Sequence, residues 1–284
     1  MPTRIAHLSD IHFGSEAPGS AALLASTLNS GQYDLVVLSG DLTMGARHRE
    51  FAAARTFMDQ LEAPTFAVPG NHDITPYHLP ERFLAPYRRW QTHISPVLEP
   101  VWSNTQVAVV GLNTARRMRF GIDWSHGSVS RRQLDDLPRR FGGAQTPFRI
   151  VVAHHPFIAD GAANLDRRGQ KLVRRAKHAL ASFAQSQVDA VLAGHLHRTY
   201  TAAFTREIDG HTVTAIQAGT ALSSRVRGEP NSFNYIEIDD DAMTVAAVTL
   251  EGRGGWRRQS TAITIRSPTG GGSVLSAGSA AFQS

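Results

Sequence analysis

The sequence predicts an α/β fold, because short apolar segments of strand length alternate with amphipathic segments of helical spacing up to about Thr199. Most of the short segments are apolar at consecutive positions, which is typical of strands whose sheet is covered on both faces. The chain has 284 residues, of which 42% are hydrophobic and 19% charged, so it is long enough to bury a substantial core.

Six apolar segments are predicted to form the first strands. They span residues 5–8, 35–38, 65–68, 107–112, 148–153 and 188–193. Helices are predicted at residues 21–28, 49–61 and about 167–184, where apolar side chains recur at helical intervals.

After about Thr199 the pattern changes to alternating segments that are separated by turn sequences such as Asp-Gly. These segments span residues 200–208, 212–217, 232–238, 244–250 and 261–265. We expect them to form an antiparallel sheet that completes a single domain of residues 1–266. Residues 267–284 are rich in Gly, Ser and Ala and are predicted to be a disordered tail.

The composition excludes several classes of protein. The absence of cysteine excludes a disulfide scaffold, zinc fingers, iron–sulfur clusters and a thiol nucleophile. No apolar segment approaches the roughly 18 residues that span a bilayer, and the N-terminus has no apolar signal segment, so we expect a cytoplasmic protein without a membrane partner. The net charge of +5 allows nucleic acid as a partner but does not favour it, because no aromatic residues are interleaved with the arginine pairs.

Potential metal ligands follow five of the six apolar segments. In chain order they are Asp10, His12, Asp41, Asn71, His72, Asp73, His154, His155, His195 and His197. In open α/β sheets, sites form beyond the carboxyl ends of the strands, so five strand ends present these side chains to one place. Gly40, Gly70 and Gly194 suit tight turns that bring the backbone close to a ligand.

The types of these side chains predict a metal centre. Carboxylate, imidazole and amide donors without thiolate suit Mn, Fe, Zn, Co or Ni, and the sequence leaves the choice among them open. Seven ligands from this set, two of them carboxylates, are too many for one ion and suit two ions that share a carboxylate. Two divalent ions against two carboxylates leave a positive site, which favours an anionic substrate, and a pair of metals can hold both oxygens of a phosphoryl transfer.

The five motifs D-x-H, G-D, G-N-H-D, H-x-P and G-H-x-H occur in this order over about residues 3–200 and resemble the signature of the calcineurin-like metallophosphoesterases. The resemblance implies a four-layer α/β/β/α sandwich with two mixed central sheets, in which the C-terminal strands fit the second sheet. It also implies a ligand set: Asp10, His12 and His197 for one metal, Asn71, His154 and His195 for the other, and Asp41 as the bridge. His155 falls on the variable position of H-x-P.

The resemblance implies a reaction as well. A hydroxide on the metals would attack phosphorus in line, His72 would contact the phosphate and protonate the leaving oxygen, and Asp73 would orient His72 or its loop. The L-S-D-I-H, P-G-N-H-D and H-H-P blocks are similar to a bacterial branch that includes cyclic-nucleotide and glycerophosphodiester phosphodiesterases. We therefore expect a phosphodiesterase for small diesters, with 3′,5′-cyclic nucleotides such as cyclic AMP as the first candidates.

Three alternatives stay open. A DNA nuclease would share the metal motifs and use the basic surface, although such nucleases usually carry a further DNA-binding domain. Phosphomonoesterases usually show G-N-H-E, whereas residue 73 is Asp. A non-catalytic binding scaffold generally lacks one or more ligands, and all of them are present here.

Two segments are candidates for contact with the substrate. Residues 116–127 contain Arg116, Arg119, Trp124 and His126, in a loop that follows a predicted strand. Residues 74–95 contain four aromatic residues and are either a small cap over the site or part of the core. The sequence leaves the oligomeric state open and allows a homodimer.

Overall fold

The computed structural model describes residues 1–117, 125–142, 146–161, 172–222, 229–252 and 255–266. The strands are β1 (Thr3–Leu8), β2 (Leu35–Leu38), β3 (Thr65–Ala67), β4 (Val101–Ser103), β5 (Val107–Leu112), β6 (Phe148–Ala153), β7 (Ala190–Ala193), β8 (Tyr200–Thr205), β9 (Thr212–Gln217), β10 (Ser232–Asp239), β11 (Ala242–Leu250) and β12 (Trp256–Arg266). The helices are α1 (Ser20–Ser30), α2 (His48–Asp59), α3 (Leu79–Leu84), α4 (Arg88–His93), α5 (Arg131–Asp135), α6 (Leu137–Arg140) and α7 (Ala176–Gln185).

The strands form two six-stranded sheets, and both sheets are mixed. The first has the order β12-β11-β10-β1-β2-β3 and the second the order β4-β5-β6-β7-β9-β8. The strands β1, β2 and β3 run parallel in the first sheet, as do β5, β6, β7 and β9 in the second. The other neighbours pair antiparallel.

Alternating side chains of the central strands explain the layers. Val37 of β2 and Ile150 of β6 are fully buried in the core between the sheets. Their neighbours point the other way: Val36 packs in the core under α1 and α2, and Val151 in the core under α5, α6 and α7. Because both faces of each central strand are covered, consecutive residues are apolar. The predicted four-layer α/β/β/α sandwich is confirmed.

The C-terminal strands differ from the prediction. They do not form one antiparallel sheet, and they do not all join the second sheet. The strands β8 and β9 extend the second sheet, with β9 parallel to β7, whereas β10, β11 and β12 extend the first sheet from β1. Alternating polarity predicts that a segment is a strand, but its partner depends on which sheet edge lies free nearby, and here each sheet offers one such edge.

The predicted helix at 167–184 begins later than expected. Residues 162–171 lie outside the described part of the chain, and α7 begins at Ala176. Arg174 pairs with Ser128 in a short bridge, and Arg175 has a φ of 69°, a left-handed conformation that an α-helix does not contain. The predicted tail, residues 267–284, lies outside the described residues as well.

Residues 74–95, here called the cap segment, contain α3 and α4. Trp90 of α4 is fully buried and packs edge-on against Phe51 of α2, with ring centroids 6.4 Å apart. Tyr77, by contrast, is 69% exposed. The cap segment is therefore anchored in the core at one end and open to solvent at the other. Among the described helices, none is long and apolar enough to cross a membrane.

Replacing Phe148 with alanine should lower the free energy of unfolding by about 3–5 kcal/mol, because this side chain is fully buried between the sheets. Leu84→Ala is the control at an exposed apolar position, and it should change stability by less than about 0.5 kcal/mol. Urea unfolding followed by circular dichroism measures both values. Similar losses in the two variants would contradict the assignment of Phe148 to the central core.

Candidate metal centre

The loops after β1, β2, β3, β6 and β7 meet at one edge of the sandwich. Parallel strands in each sheet end on the same side, and the two sheets face each other, so their carboxyl ends converge. This convergence brings together all seven predicted metal ligands, which are Asp10, His12, Asp41, Asn71, His154, His195 and His197.

A first group of donor atoms is formed by Asp10, His12 and His197. Asp10 Oδ1 lies 3.6 Å from His12 Nε2 and 3.3 Å from His197 Nε2, and the two Nε2 atoms are 3.4 Å apart. Donors about 2.0–2.2 Å from a shared ion lie roughly 3.0–3.5 Å from one another. The spacing of this group therefore fits one metal ion.

A second group is formed by Asn71, His154 and His195. His154 Nε2 lies 3.2 Å from Asn71 Oδ1 and 3.3 Å from His195 Nδ1. Asp41 Oδ2 connects the two groups, because it is 3.2 Å from His154 Nε2 and 4.0 Å from His12 Nε2. The arrangement agrees with the predicted pair of sites that share Asp41, and the assignment of each ligand stays a prediction.

The outward-facing ring nitrogens set the orientation of three imidazoles. His12 Nδ1 faces the carbonyl of Thr43 at 3.3 Å, and His154 Nδ1 faces the carbonyl of Ser39 at 2.9 Å. His197 Nδ1 is 2.8 Å from Thr220 Oγ1. A carbonyl oxygen accepts a hydrogen bond, so in His12 and His154 Nδ1 carries a proton and Nε2 is the nitrogen that faces the donor group.

Asp10 supplies an independent test of fit. One oxygen, Oδ2, accepts a hydrogen bond from the backbone N–H of His195 at 2.8 Å. The other, Oδ1, is buried and receives no hydrogen bond from the described residues. A buried carboxylate oxygen without a donor is costly, and a cation in the first donor group would satisfy it.

Five of the seven predicted ligands have a backbone conformation that residues other than glycine rarely adopt. The φ angles are 52° at Asp10, 54° at His12, 53° at Asp41, 78° at His195 and 59° at His197. Each such residue costs on the order of 1–3 kcal/mol and persists only where the surrounding structure enforces it. Repeated left-handed ligand residues indicate that the loops are built to aim these side chains.

Glycines allow the strand ends to approach one another. A β-carbon at Gly194 would overlap Ser9 Oγ and lie 2.5 Å from Asp10 Oδ2. A β-carbon at Gly70 would overlap the Asp41 carboxylate in the same way. Only a residue without a side chain fits at these two positions, as expected from the sequence.

The donor groups perturb one another electrostatically. Burial alone would raise the pKa of Asp41, but the neighbouring imidazoles of His154 and His72 hold it well below its usual range. Burial alone would lower the pKa of His154, but the carboxylates of Asp41 and Asp10 raise it to about 9. In the metal-free protein, protons on the imidazoles thus supply positive charge that metal ions would otherwise supply.

His72, the predicted proton donor, is half-buried beside the first donor group. Its ring lies edge-on to that of His12, with centroids 5.0 Å apart, and its Nδ1 donates to the carbonyl of Met44 at 2.7 Å. Its backbone N–H donates to Asp41 Oδ1 at 2.8 Å. The Met44 carbonyl was not found from the sequence, since any residue can present a backbone acceptor.

Asp73 holds the loop and not the ring of His72. Its carboxylate accepts hydrogen bonds from the backbone N–H groups of Gly70, Thr43 and Leu42 at 2.9, 3.0 and 3.3 Å. It also accepts one from the hydroxyl of Thr43 at 3.0 Å. The carboxylate is fully buried, so of the two predicted roles the contacts support the positioning of the loop.

Of the four residues predicted to contact the substrate, the structure describes Arg116 and His126. The guanidinium of Arg116 donates to the carbonyls of Asn113 and Ala115 and to the side chain of Gln133, so these contacts hold it against its own loop and α5. His126 is half-buried, and Arg119 and Trp124 lie outside the described residues. A cavity of about 130 Å³ adjoins the centre and is lined by Asn71, His72, Ile74, Pro76, Arg82 and Ser125. The cap segment therefore borders the site through Ile74, Pro76 and Arg82.

His155 lies closer to the centre than its variable position in the motif suggests. Its ring is fully buried and its centroid is 4.6 Å from that of His195, while Nδ1 is 2.8 Å from the hydroxyl of Thr114. Burial and the neighbouring imidazoles of His195 and His154 hold its pKa well below the usual range. His155 is therefore neutral and packs against the ring of His195.

Comparison with known proteins agrees with these motifs. A family model described as calcineurin-like phosphoesterase matches residues 3–199, which contain every predicted ligand. A probable cyclic nucleotide phosphodiesterase from Synechococcus sp. is 27% identical over 271 residues, which make up 91% of this chain and 92% of that protein.

Two further proteins are similar over different lengths. The 3′,5′-cyclic adenosine monophosphate phosphodiesterase CpdA of Escherichia coli is 29% identical over 182 residues, or 63% of this chain and 59% of that protein. A dimetal phosphatase from Danio rerio superposes with a TM-score of 0.63 at 15% identity, over 93% of this chain and 99% of that chain. The latter likeness shows the fold.

Gly194→Ala should reduce the metal content of the purified protein, because the added methyl group would displace Ser9 and the Asp10 carboxylate. Gly161→Ala is the matched control, since a β-carbon there meets no atom within 4 Å. Metal per chain is measured by plasma mass spectrometry after dialysis against manganese. Equal metal content in the two variants would contradict the proposed role of the close approach.

Metal binding should release protons, and the apparent affinity should rise with pH between about 6 and 9. The rise of the affinity with pH follows from His154. Below its pKa of about 9 the metal-free ring is protonated, and Nε2 must lose that proton to accept a metal. Calorimetric titration in two buffers of different ionisation enthalpy counts the protons. Asp41→Asn, which removes the nearest carboxylate, should flatten the dependence, and release of no proton at pH 7 would contradict the assignment.

Proposed function

Because the chain belongs to the calcineurin-like phosphoesterase family, whose members are metal-dependent phosphoesterases, we propose that it hydrolyses small phosphodiesters, with 3′,5′-cyclic nucleotides such as cyclic AMP as substrates. The observation that carries this proposal is the pair of adjacent donor groups that share Asp41 Oδ2. The named activities of the relatives from Synechococcus sp. and Escherichia coli support the choice of cyclic nucleotides.

The residues present fit two divalent ions from the series Mn, Fe, Zn, Co and Ni. Asp10, His12 and His197 would hold one, Asn71, His154 and His195 the other, and Asp41 would bridge them. Such a pair supplies an activated water and neutralises charge on the attacking and leaving oxygens.

The charges of the site favour an anionic phosphate ester. Its carboxylates are Asp10 and Asp41, so two divalent ions leave an excess of about two positive charges by formal count. A phosphodiester anion neutralises part of this excess. The half-buried position of Asn71 and His72, beside the small cavity, is where one ester group of the substrate would lie.

His72 is proposed to deliver the proton. Its Nδ1–H stays on the carbonyl of Met44, so Nε2 is the nitrogen that gives a proton to the leaving oxygen as the phosphorus–oxygen bond breaks. The electron pair of that bond goes to the leaving oxygen, which departs as an alcohol, and the ring is left neutral. Asp73 keeps this loop in place through its backbone contacts with Gly70 and Thr43.

A substrate panel on the manganese-loaded protein tests the proposal. It compares bis(p-nitrophenyl) phosphate, p-nitrophenyl phosphate, cyclic AMP, glycerophosphocholine and linear DNA. We expect the small diesters bis(p-nitrophenyl) phosphate, glycerophosphocholine and cyclic AMP to be hydrolysed faster than the monoester p-nitrophenyl phosphate. Asn71→Ala should remove one metal and the activity together, because its amide oxygen belongs to the second donor group; this variant also controls for contaminants.

Each other outcome selects a different function. Preferred cleavage of linear DNA would indicate a nuclease, and preferred cleavage of p-nitrophenyl phosphate a monoesterase. Two bound metals without turnover of any substrate would indicate a binding scaffold. The cytoplasmic location stays a prediction that fractionation can test, and light scattering can measure the oligomeric state, which the sequence leaves open.

A further inference from the structure

Residues of the cap segment contact the loop whose backbone orients His72. This loop, residues 43–47, is called the Met44 loop here, because the Met44 carbonyl accepts the hydrogen bond from His72 Nδ1. We propose that Arg89, fixed by Glu81, is a positioning residue for His72 that acts through the Met44 loop. The inference rests on the proposed function only for the role of His72 as proton donor.

Arg89 connects the cap segment to the Met44 loop through all three nitrogen atoms of its guanidinium group. Its Nη1 donates to the carbonyl of Ala46 at 2.8 Å. Its Nε and Nη2 donate to the carboxylate of Glu81 at distances between 2.6 and 3.1 Å. Both side chains are largely buried, with 16% and 7% of their surfaces exposed, so the ion pair is less screened than one on the surface. Glu81 thus fixes the direction from which Arg89 reaches the loop.

The conformation of the Met44 loop needs such external contacts. Ala46 has a φ of 54°, a left-handed conformation that is unfavourable for alanine. Its N–H donates to the hydroxyl of Thr43, and the N–H groups of Gly45 and Arg47 donate to Glu50 Oε2 at 2.8 and 3.1 Å. Arg89 adds the contact to the Ala46 carbonyl, two residues from the acceptor of His72.

A second contact from the cap segment reaches the same loop. The ring of Tyr77 lies so close to Gly45 that a β-carbon there would be 2.9 Å from Tyr77 Cε2. The guanidinium of Arg47 lies over the same ring at 5.1 Å. The cap segment therefore touches three successive residues of the Met44 loop, Gly45, Ala46 and Arg47, so that a change in the segment is transmitted to the carbonyl that orients His72.

The chain offers a matched control for Arg89. Arg88 is its neighbour and also approaches Glu81, at 3.4 Å, but its side chain is 68% exposed. No contact of Arg88 with the Met44 loop is found among the described residues. Arg89→Ala and Arg88→Ala remove the same charge and the same number of atoms, and only the former removes the contact to Ala46.

The test compares two leaving groups. p-Nitrophenolate is a stable anion and departs without a proton, whereas the ribose oxygen of cyclic AMP needs one. Arg89→Ala should lower kcat for cyclic AMP about tenfold or more, as part of the loss caused by removing a general acid. It should leave KM, the metal content and the turnover of bis(p-nitrophenyl) phosphate within about twofold, and Arg88→Ala should leave every value within about twofold.

A double-variant cycle decides whether Arg89 acts through His72. In the background of His72→Ala, Arg89→Ala should cause no further loss with cyclic AMP, because the group that it positions is gone. An additional loss of the same size would overturn the proposal, as would equal losses with both leaving groups. Glu81→Gln, which keeps the shape of the side chain, should shift kcat in the same direction by less.

A spectroscopic readout separates this inference from the proposed function. In the wild-type protein, the Nδ1–H of His72 should give a slowly exchanging signal in a proton–nitrogen NMR spectrum of the histidine side chains, identified by its absence in His72→Ala. Arg89→Ala should weaken or broaden that signal, and Arg88→Ala should not. If the wild type hydrolyses no alkyl ester, the proposed function fails, while an unchanged signal in Arg89→Ala overturns the positioning role.

Discussion

The site depends on the position of Asp41 between two sets of imidazoles. Its Oδ2 faces His154 and His12, which belong to different donor groups, while its Oδ1 accepts the backbone N–H of His72. A fully buried carboxylate is unfavourable unless positive charge surrounds it, and here the surrounding groups supply that charge as protons or as metal ions. The same residue thereby fixes the distance between the two donor groups and the start of the loop that carries His72.

The backbone conformation of the loops after the strands follows from this constraint. For two sheets to bring their strand ends to a single carboxylate, the loops must turn sharply directly after the strands. Glycine at positions 40, 70 and 194 makes the approach possible, and the left-handed conformations at Asp10, His12 and Asp41 turn the side chains inward. Strain of this kind is stable only because the core between the sheets holds both strand sets rigidly, so the apolar pattern of the strands and the geometry of the site are coupled.

Much of the fold and of the site follows from local sequence, and the remainder depends on contacts between distant residues. Apolar strands followed by Asp, Asn and His predict the central strands and the gathering of the candidate donors at one edge, because a parallel strand places its last residues at a known edge, whereas the ligand set and the two-sheet sandwich were implied by the resemblance to the family. The positions of Met44 and Ala46 could not be predicted, since their contribution is a backbone carbonyl in a strained loop. The role of Asp73 was predicted only as a choice between ring and loop, because a carboxylate next to a histidine can serve either.

The C-terminal strands, which were predicted to form a single antiparallel sheet, contribute contacts that support the site. The matched family model ends at residue 199, but Thr220, after β9, contacts His197 Nδ1. Asn234 of β10 donates to His7 Nδ1 at 3.2 Å, and His7 Nε2 in turn faces Ser39 Oγ at 2.9 Å. Burial lowers the pKa of His7 to about 3, so the ring is neutral, accepts from Asn234 and donates to Ser39. Because the carbonyl of Ser39 orients His154, a strand beyond residue 199 supports a predicted metal ligand through His7 and Ser39. Because these strands divide between the two sheets, each donor group has one supporting contact from this part of the chain. Thr220 supports the group of His197, and Asn234 supports the group of His154. A separate C-terminal sheet would not place both contacts there.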